Sequence, residues 1–485
     1  MDGAPVSDLA EQLRNVVGAG FVLTGDDILA DYTHDEALGE RPVVPLAVVR
    51  PASTDEVAQL LALADTARVP VVARGRGTGL SGGARPVADG IVVALDRMDR
   101  IVEIDVDNGV AVVEPGVTLE QLDAALAPLR LVYPVFPGEA SASLGGNVAT
   151  NAGGMRAIRY GVTRHRVLGL EAVLAGGQVL RTGGKFVKSA TGYDLTQLLV
   201  GSEGTLAVIT EVTVKLEPRL QHTATLLAPF ATLDEIARSV PQVVASGVAP
   251  LVLEYLDLLA MAGITAAAGL DLGVPEATKA TALAYLVVVL ESTHDDRLDA
   301  DTETVAALLG RLGALDVYVL PPAAGAQLIA AREKAFFVTK AAGADDIVDT
   351  VVPRSAIPDF LATVARLAAD DDALVSGCGH VGDGNVHLSV FQPDRDRRSA
   401  LVRAILAAAV AAGGAISGEH GIGTEKQAYF LELEDPLRLT LMRRIKAAFD
   451  PHGILGPDRL LGPVGGPDAV GAGGGDGAGG GDGDR

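Results

Sequence analysis

The stretch Arg74-Gly75-Arg76-Gly77-Thr78-Gly79-Leu80-Ser81-Gly82-Gly83 lies between two apolar runs, Val69–Ala73 and Ile91–Leu95. The residues just after it decide the architecture. Gly77, Gly79 and Gly82 match G-x-G-x-x-G, but a dinucleotide-binding unit needs a helix at once, to aim its N-terminus at the pyrophosphate. Here Ala84-Arg85-Pro86 and then the strand Ile91–Leu95 come next. The segment therefore reads as strand–loop–strand. Residues without a Cβ let backbone N–H groups turn inward as an anion-binding nest, and Arg74 and Arg76 add charge.

Two further polar glycine segments share the same region. One runs from Pro137-Gly138-Glu139 through Ser141, Gly145-Gly146-Asn147 and Thr150 to Gly153-Gly154; the other is Gly201-Ser202-Glu203-Gly204. Three such segments within about 150 residues point to one extended ligand threaded between them. Helices and strands are marked around them. Ser53-x-x-Glu56 and Thr118-x-x-Gln121 are capping boxes, each leading into apolar residues at helical spacing: Val57, Leu60, Leu61 and Ala64, then Leu119, Leu122 and Leu126. Leu168–Ala175 and Gln178–Arg181 read as a hairpin, and Leu206–Leu216 as a strand closed by Pro218. Composition then shifts to Ala/Leu-rich helices alternating with strands, which puts a boundary near Pro218.

Whole-chain numbers narrow the function. The chain has 485 residues and a net charge of −23, enough for two or three domains at about 150 residues each. Such an acidic chain repels nucleic-acid backbones and anionic membrane surfaces. A single cysteine excludes an intrachain disulfide framework or a cysteine-rich cluster. The acidic start lacks the apolar core of a signal peptide. Uncharged stretches such as Ala404–Gly418 fall short of the roughly 18 residues of a membrane span. A cytoplasmic protein with no integral membrane segment and no nucleic-acid partner is the expectation. Residues from Gly466 onward are nearly all Gly, Ala and Asp, and read as disordered.

The second half holds a histidine constellation. His380-Val381-Gly382-Asp383-Gly384-Asn385-Val386-His387 carries a strong hairpin signal at Asp383-Gly384. A two-residue turn there sets His380 directly opposite His387, with Cβ atoms about 4.5–5.5 Å apart on one face. That geometry suits two imidazoles on one metal ion. Ser417-Gly418-Glu419-His420-Gly421 adds a Glu-His pair between glycines. Glu419 completes a His, His, Glu set for Zn²⁺, with Mn²⁺ or Fe²⁺ also open. His420 is left as a base with an ordinary pKa near 6.5.

These segments resemble the FAD-linked oxidases of the vanillyl-alcohol-oxidase type over roughly residues 42–218. The carriers are Val48-Val49-Arg50-Pro51, the Arg74–Gly83 loop, Gly145-Gly146-Asn147 with Asn151-Ala152-Gly153-Gly154, and Gly201–Gly204. The resemblance implies an α+β chain: a two-subdomain, PCMH-type FAD-binding domain, then an α+β, ferredoxin-like substrate or cap domain. The divisions are an N-terminal helical segment over 1–41, the FAD domain over 42–218, the cap over 219–461 and a tail over 462–485. FAD contacts are implied at Arg74, Gly75, Arg76, Gly77, Thr78, Gly79, Leu80, Ser81, Gly82, Pro137, Gly138, Ser141, Gly145, Gly146, Asn147, Thr150, Gly154 and Ile209. Residues 68–160 contain no His or Cys, so FAD is expected to be noncovalent.

The cap resembles one branch of that family over about 219–461: cytochrome-linked D-lactate dehydrogenase, the flavoprotein subunit of glycolate oxidase, and D-2-hydroxyglutarate dehydrogenase. It implies metal ligation by His380, His387 and Glu419, catalysis by His420 as base, and a substrate carboxylate on Arg332. The expected reaction is oxidation of a small D-2-hydroxy acid to the 2-oxo acid, with hydride passing to flavin N5 and the metal activating the hydroxyl. The acceptor (a cytochrome, a quinone, an electron-transfer flavoprotein or an iron–sulfur subunit) stays open, as does a homodimer. Two rivals remain: a flavoprotein subunit dependent on an iron–sulfur partner, and a nonredox alkyl-dihydroxyacetone-phosphate-synthase-like enzyme. Ser389 and Gly456 depart from the family's Asn at those positions. Cys378 reads as a small buried hydrophobe.

Overall fold

The computed structural model describes residues 4–39 and 41–462; nearly all of the tail read as disordered lies outside them. The expected helices form where the caps place them. Ser53 accepts from the Glu56 amide and starts helix Thr54–Ala67, which buries Val57, Leu60, Leu61 and Ala64. Thr118 and Gln121 close a reciprocal capping box on helix Leu119–Leu126. The N-terminal helix Ala4–Val17 packs Leu13 and Val17 into the same core as Leu60 and Leu61.

The first sheet holds β1 (Val22–Leu23), β2 (Ala47–Val49), β3 (Val71–Arg74) and β4 (Ile91–Ala94), in the order β1-β2-β4-β3. β3 and β4 are adjacent and parallel. Parallel neighbours need a crossover of a dozen or more residues, usually a helix. Residues 75–90 make this crossover without helix or strand, and so lay the glycine loop across the strand ends. The second sheet holds β5 (Ile101–Asp105), β6 (Val110–Val113), β8 (Val167–Val173), β9 (Val179–Gly183) and β10 (Val208–Lys215), antiparallel throughout in the order β5-β6-β10-β8-β9. A small ribbon pairs β7 (Leu131–Val132) with β11 (Glu217–Pro218).

The cap is a seven-stranded antiparallel sheet: β12 (His222–Phe230), β13 (Val252–Asp257), β14 (Ala284–Ser292), β15 (Tyr318–Leu320), β16 (Asp346–Val351), β17 (Leu374–Gly379) and β18 (Asn385–Phe391), ordered β15-β12-β14-β13-β17-β18-β16. Its first four strands, with helices Leu233–Ala245 after β12 and Asp295–Arg311 after β14, take a β-α-β-β-α-β path in the spatial order 4-1-3-2, with helix Leu258–Ala268 inserted between β13 and β14. That is the ferredoxin-like arrangement. Alternation divides the strands between two cores. Leu226, Leu253, Tyr255, Val386 and Leu388 join one. Leu227, Leu256, Tyr285 and Val287 join the other, against helices Leu258–Ala268 and Pro322–Glu333. Glu254 and His387 fall on this second face by the same alternation.

After helix Pro436–Phe449 the chain leaves the cap. Leu455 bridges Val71, and the Gly456 amide donates to the Val71 carbonyl at 2.9 Å. Residues read with the cap from sequence thus return to the first sheet. Among the described residues no helix is long and apolar enough to cross a membrane.

Candidate active site

The glycine segments converge on one cleft of about 1720 Å³, its open mouth included. Of the eighteen residues assigned to FAD, sixteen line it. Gly82 and Gly154 do not. A Cβ on Gly82 would meet Thr424 Oγ1, and one on Gly154 the Phe136 carbonyl, each at 2.0 Å. Both are glycine for close packing. Among the described residues no acceptor takes the backbone N–H groups of Arg76 through Leu80, which leaves them open toward an anion. The side chain of Asn147 is 5 % exposed and its Nδ2 has no partner. Open amides and an orphaned buried donor fit a phosphate-bearing, hydrogen-bonding cofactor such as FAD.

Three assignments in this region change character. Arg74 was expected to face the anion. Its guanidinium instead donates to the carbonyls of His34 (2.7 Å) and Asp31 (2.5 Å) and packs beside Tyr32. It braces the loop from behind and leaves Arg76 as the exposed cation. Ser81 donates to the His420 carbonyl at 2.9 Å, which ties the glycine loop to the catalytic candidate. The second glycine segment is not all loop. Ser143 caps a helix over Leu144–Thr150 that ends at Asn151 in the left-handed conformation. Gly145 permits it: a Cβ there would lie 2.5 Å from Pro115 Cβ and 2.9 Å from the Pro115 carbonyl oxygen.

The hairpin brings the histidines together by a different register. His387 faces Cys378, not His380. The connection is a five-residue turn, His380–Gly384, in which the His380 carbonyl accepts from the amides of Asp383 and Asn385. Gly384 sits at φ +95°, with the Val352 carbonyl 2.1 Å from where a Cβ would be. The slip is two residues, so the face is preserved, and the imidazoles meet as diagonal neighbours with ring centroids 5.0 Å apart.

Glu419 joins them. Its Oε1 lies 3.1 Å from His380 Nε2 and 3.4 Å from His387 Nε2. One ligand atom from each of the three residues falls within 4.8 Å of the others. His387 Nε2 is buried without a hydrogen-bond partner, and burial pushes its pKa down to about 3. A neutral, unpartnered imidazole nitrogen beside a carboxylate fits a divalent cation.

Two buried acids, neither foreseen, hold these groups. Glu254 has no exposed surface. Its Oε1 takes His380 Nδ1 at 2.5 Å, and its Oε2 lies 2.9 Å from Arg332 Nη2. Burial works against its charge, but His380 and Arg332 hold its carboxyl below the usual range. A carboxylate behind a ligating imidazole fixes the ring and its tautomer. Arg332 is 8 % exposed near the end of helix Pro322–Glu333. Its Nε has no acceptor, and Nη2 lacks hydrogen-bond geometry despite the ion pair, so the guanidinium keeps unsatisfied donors that fit a planar anion.

Asp349 is the second acid, also without exposed surface. Its Oδ2 accepts from Ser417 Oγ (2.9 Å) and from the amides of Gly418 (3.0 Å), Glu419 (2.9 Å) and His420 (2.8 Å). Asn385 donates to Oδ1 at 2.7 Å. This clamp shapes the loop that sends Glu419 and His420 into one site. From the first domain Glu203 grips the same loop, accepting from Ile422 (2.8 Å) and Gly423 (2.6 Å). His420 stacks against His387 at 5.1 Å between centroids, with Nδ1 3.9 Å from Asp349 Oδ2. Its expected ordinary pKa is overturned: burial pushes it down to about 4. It stands neutral at neutral pH.

Glu419 and His420 form a shared wall. They line both the glycine-loop cleft and a second cavity that holds Arg332, His380 and His387.

Residues 45–183 match the FAD binding domain family, and residues 219–460 match FAD linked oxidases, C-terminal domain. The chain is 54 % identical to an uncharacterized FAD-linked oxidoreductase of Mycobacterium tuberculosis, over 93 % of this chain and 98 % of that protein. It is 37 % identical to a D-lactate dehydrogenase of Archaeoglobus fulgidus (89 % and 95 % covered) and 36 % identical to the glycolate oxidase subunit GlcD of Bacillus subtilis (93 % and 96 %). Among solved structures, p-cresol methylhydroxylase superposes with a TM-score of 0.79 at 19 % identity, over 96 % of this chain and 98 % of that one. The fold is thus the PCMH-type FAD-binding fold with an α+β cap. The chain belongs to the FAD-linked oxidases.

Proposed function

We propose that this protein oxidises a D-2-hydroxy acid to the 2-oxo acid, with FAD in the glycine-loop cleft and a divalent cation on His380, His387 and Glu419. The carrying observation is the shared wall: the same Glu419-His420 pair faces the cofactor cleft and the cavity of the cation cluster. The relatives named D-lactate dehydrogenase and glycolate oxidase subunit support the substrate class. Zn²⁺ suits the two imidazoles and one carboxylate, with Mn²⁺ or Fe²⁺ as alternatives.

When bound, FAD supplies the two-electron acceptor, and the cation supplies a Lewis acid that lowers the hydroxyl pKa. The protein's own groups do the rest. Arg332, braced by Glu254, holds the substrate carboxylate through its unsatisfied donors. Glu254 keeps Arg332 and His380 in fixed relation. Neutral His420 accepts the hydroxyl proton while the Cα–H bond gives up its hydrogen and electron pair, leaving the 2-oxo acid. Open amides at Arg76–Leu80 and the side chain of Arg76 receive the phosphates. FAD is noncovalent.

The test is anaerobic reduction of the purified holoenzyme by D- and L-2-hydroxy acids, one at a time. A D-acid should remove the oxidised-flavin absorbance and its L-enantiomer should not. His420→Ala should keep FAD and slow reduction by about 10²–10⁴-fold, the usual worth of a general base. Undiminished reduction by that variant refutes the assignment.

A further inference from the structure

The cavity beyond the cation cluster is larger and more apolar than a two- or three-carbon acid requires. Its volume is about 450 Å³, part of it along Leu80, Pro137 and Gly138, which also line the cofactor cleft. One end holds Arg332, His380, His387, Glu419 and His420. The other is walled by Ile264 and Val338 from helices Leu258–Ala268 and Ala335–Ala341, Ile347 of β16, Leu374 of β17 and Phe391 of β18, with the paired Ser376 and Ser389 between the two ends. Leu374, half exposed, carries the apolar wall out to solvent. Among the described residues Arg332 is the only Lys or Arg in the lining.

These walls discriminate. The methyl of lactate or the hydrogen of glycolate would leave most of them against water, whereas a longer apolar substituent covers them. A second carboxylate would meet the hydroxyls of Ser376 and Ser389 and then the apolar end, with no second Lys or Arg in the lining to pair with, which is costly. We propose, on the reading of the reaction given above, that the substrate is a 2-hydroxy monocarboxylic acid bearing an alkyl or aryl substituent several carbons long. Arg332 takes the carboxylate, and Ile264, Val338, Leu374 and Phe391 take the substituent. These four select the substrate and have no part in the proton transfer.

The experiment measures kcat/KM of the metal-replete holoenzyme with an artificial acceptor for D-lactate, D-2-hydroxybutyrate, D-2-hydroxyhexanoate and D-2-hydroxyglutarate. Calorimetric titration with the corresponding 2-oxo acids gives binding without turnover. We expect hydroxyhexanoate to exceed lactate by at least about tenfold, since a single methylene in an apolar pocket is worth about 10–200-fold. Kd should fall with chain length, and hydroxyglutarate should rank below hydroxyhexanoate. Leu374→Arg, at a half-exposed position, should narrow or invert that last ranking, and Val338→Phe should penalise hydroxyhexanoate at least about tenfold more than lactate. A preference for lactate or hydroxyglutarate, or a Kd indifferent to chain length, overturns the proposal. If no acid reduces the flavin while Kd still falls with length, the oxidation reading fails and the apolar subsite stands.

Discussion

The two halves of the site are built from different materials. The cofactor cleft is mostly backbone: open amides at Arg76–Leu80, with glycines where a Cβ would collide. The cap half is made of charged and titratable side chains in a largely apolar interior. Each of its buried acids holds two or more functional groups: Glu254 grips Arg332 and His380, and Asp349 grips the loop of Glu419 and His420. A backbone site is redundant, because several amides share the ligand. A site held by buried acids is not, since losing one acid strands every partner in a medium that cannot hydrate it.

That contrast predicts unequal responses to substitution. The largest effect is expected for Asp349→Ala, which orphans five donors at once. Denaturant unfolding should show a loss of about 3–5 kcal/mol, and the purified variant should lack the metal. Glu254→Gln keeps shape but removes the charge behind His380. Metal affinity should drop about 10–100-fold with FAD content unchanged; loss of FAD there would break the distinction between the halves. On the backbone side, Gly145→Ala forces a Cβ against Pro115. It should cost about 1–3 kcal/mol and lower FAD occupancy, while the metal stays. Smaller still is Arg76→Met, which should weaken FAD binding but leave the unfolding midpoint of the apoprotein in place. Arg74→Met should do the reverse.

The pH profile sharpens the same comparison. Burial pushes His420 down to about 4. Protonation removes the base, so activity should fall with acid, but only as pH approaches that value. Between pH 6 and 8 kcat/KM should show no limb from His420. An acid limb centred near 6.5, absent from a variant at His420, would contradict the burial argument.

Legibility in the sequence divides along the same line. Caps at Ser53 and Thr118, the strands and the Arg74–Gly83 loop are local signals, and the structure carries each of them. The missing helix after Gly83 correctly excluded a dinucleotide-binding unit. Leu144–Thr150 was hidden because its glycines look like loop until Pro115 is known to press on Gly145. The hairpin pair was found through the wrong register, since Asp383-Gly384 advertises a two-residue turn that the chain extends to five; the face survived because the slip was even. Glu254 stands among Val-Leu-Glu-Tyr-Leu, and Asp349 lies in the interior of Asp-Ile-Val-Asp-Thr-Val, flanked by Val348 and Thr350. An acid flanked by buried strand residues must find a partner inside, but the sequence does not say which. Arg74 could not be assigned, because its acceptors lie forty residues back, on carbonyls that carry no sequence signal.

The central claim is that the cation cluster and the flavin act on one substrate across the Glu419-His420 wall. Its most direct test is the rate of anaerobic flavin reduction by the best D-2-hydroxy acid in three preparations: as purified, chelator-stripped, and stripped then restored with Zn²⁺ or Mn²⁺. Stripping should abolish reduction while FAD remains bound, and one of the cations should restore it. Reduction at an unchanged rate in the stripped protein would contradict it.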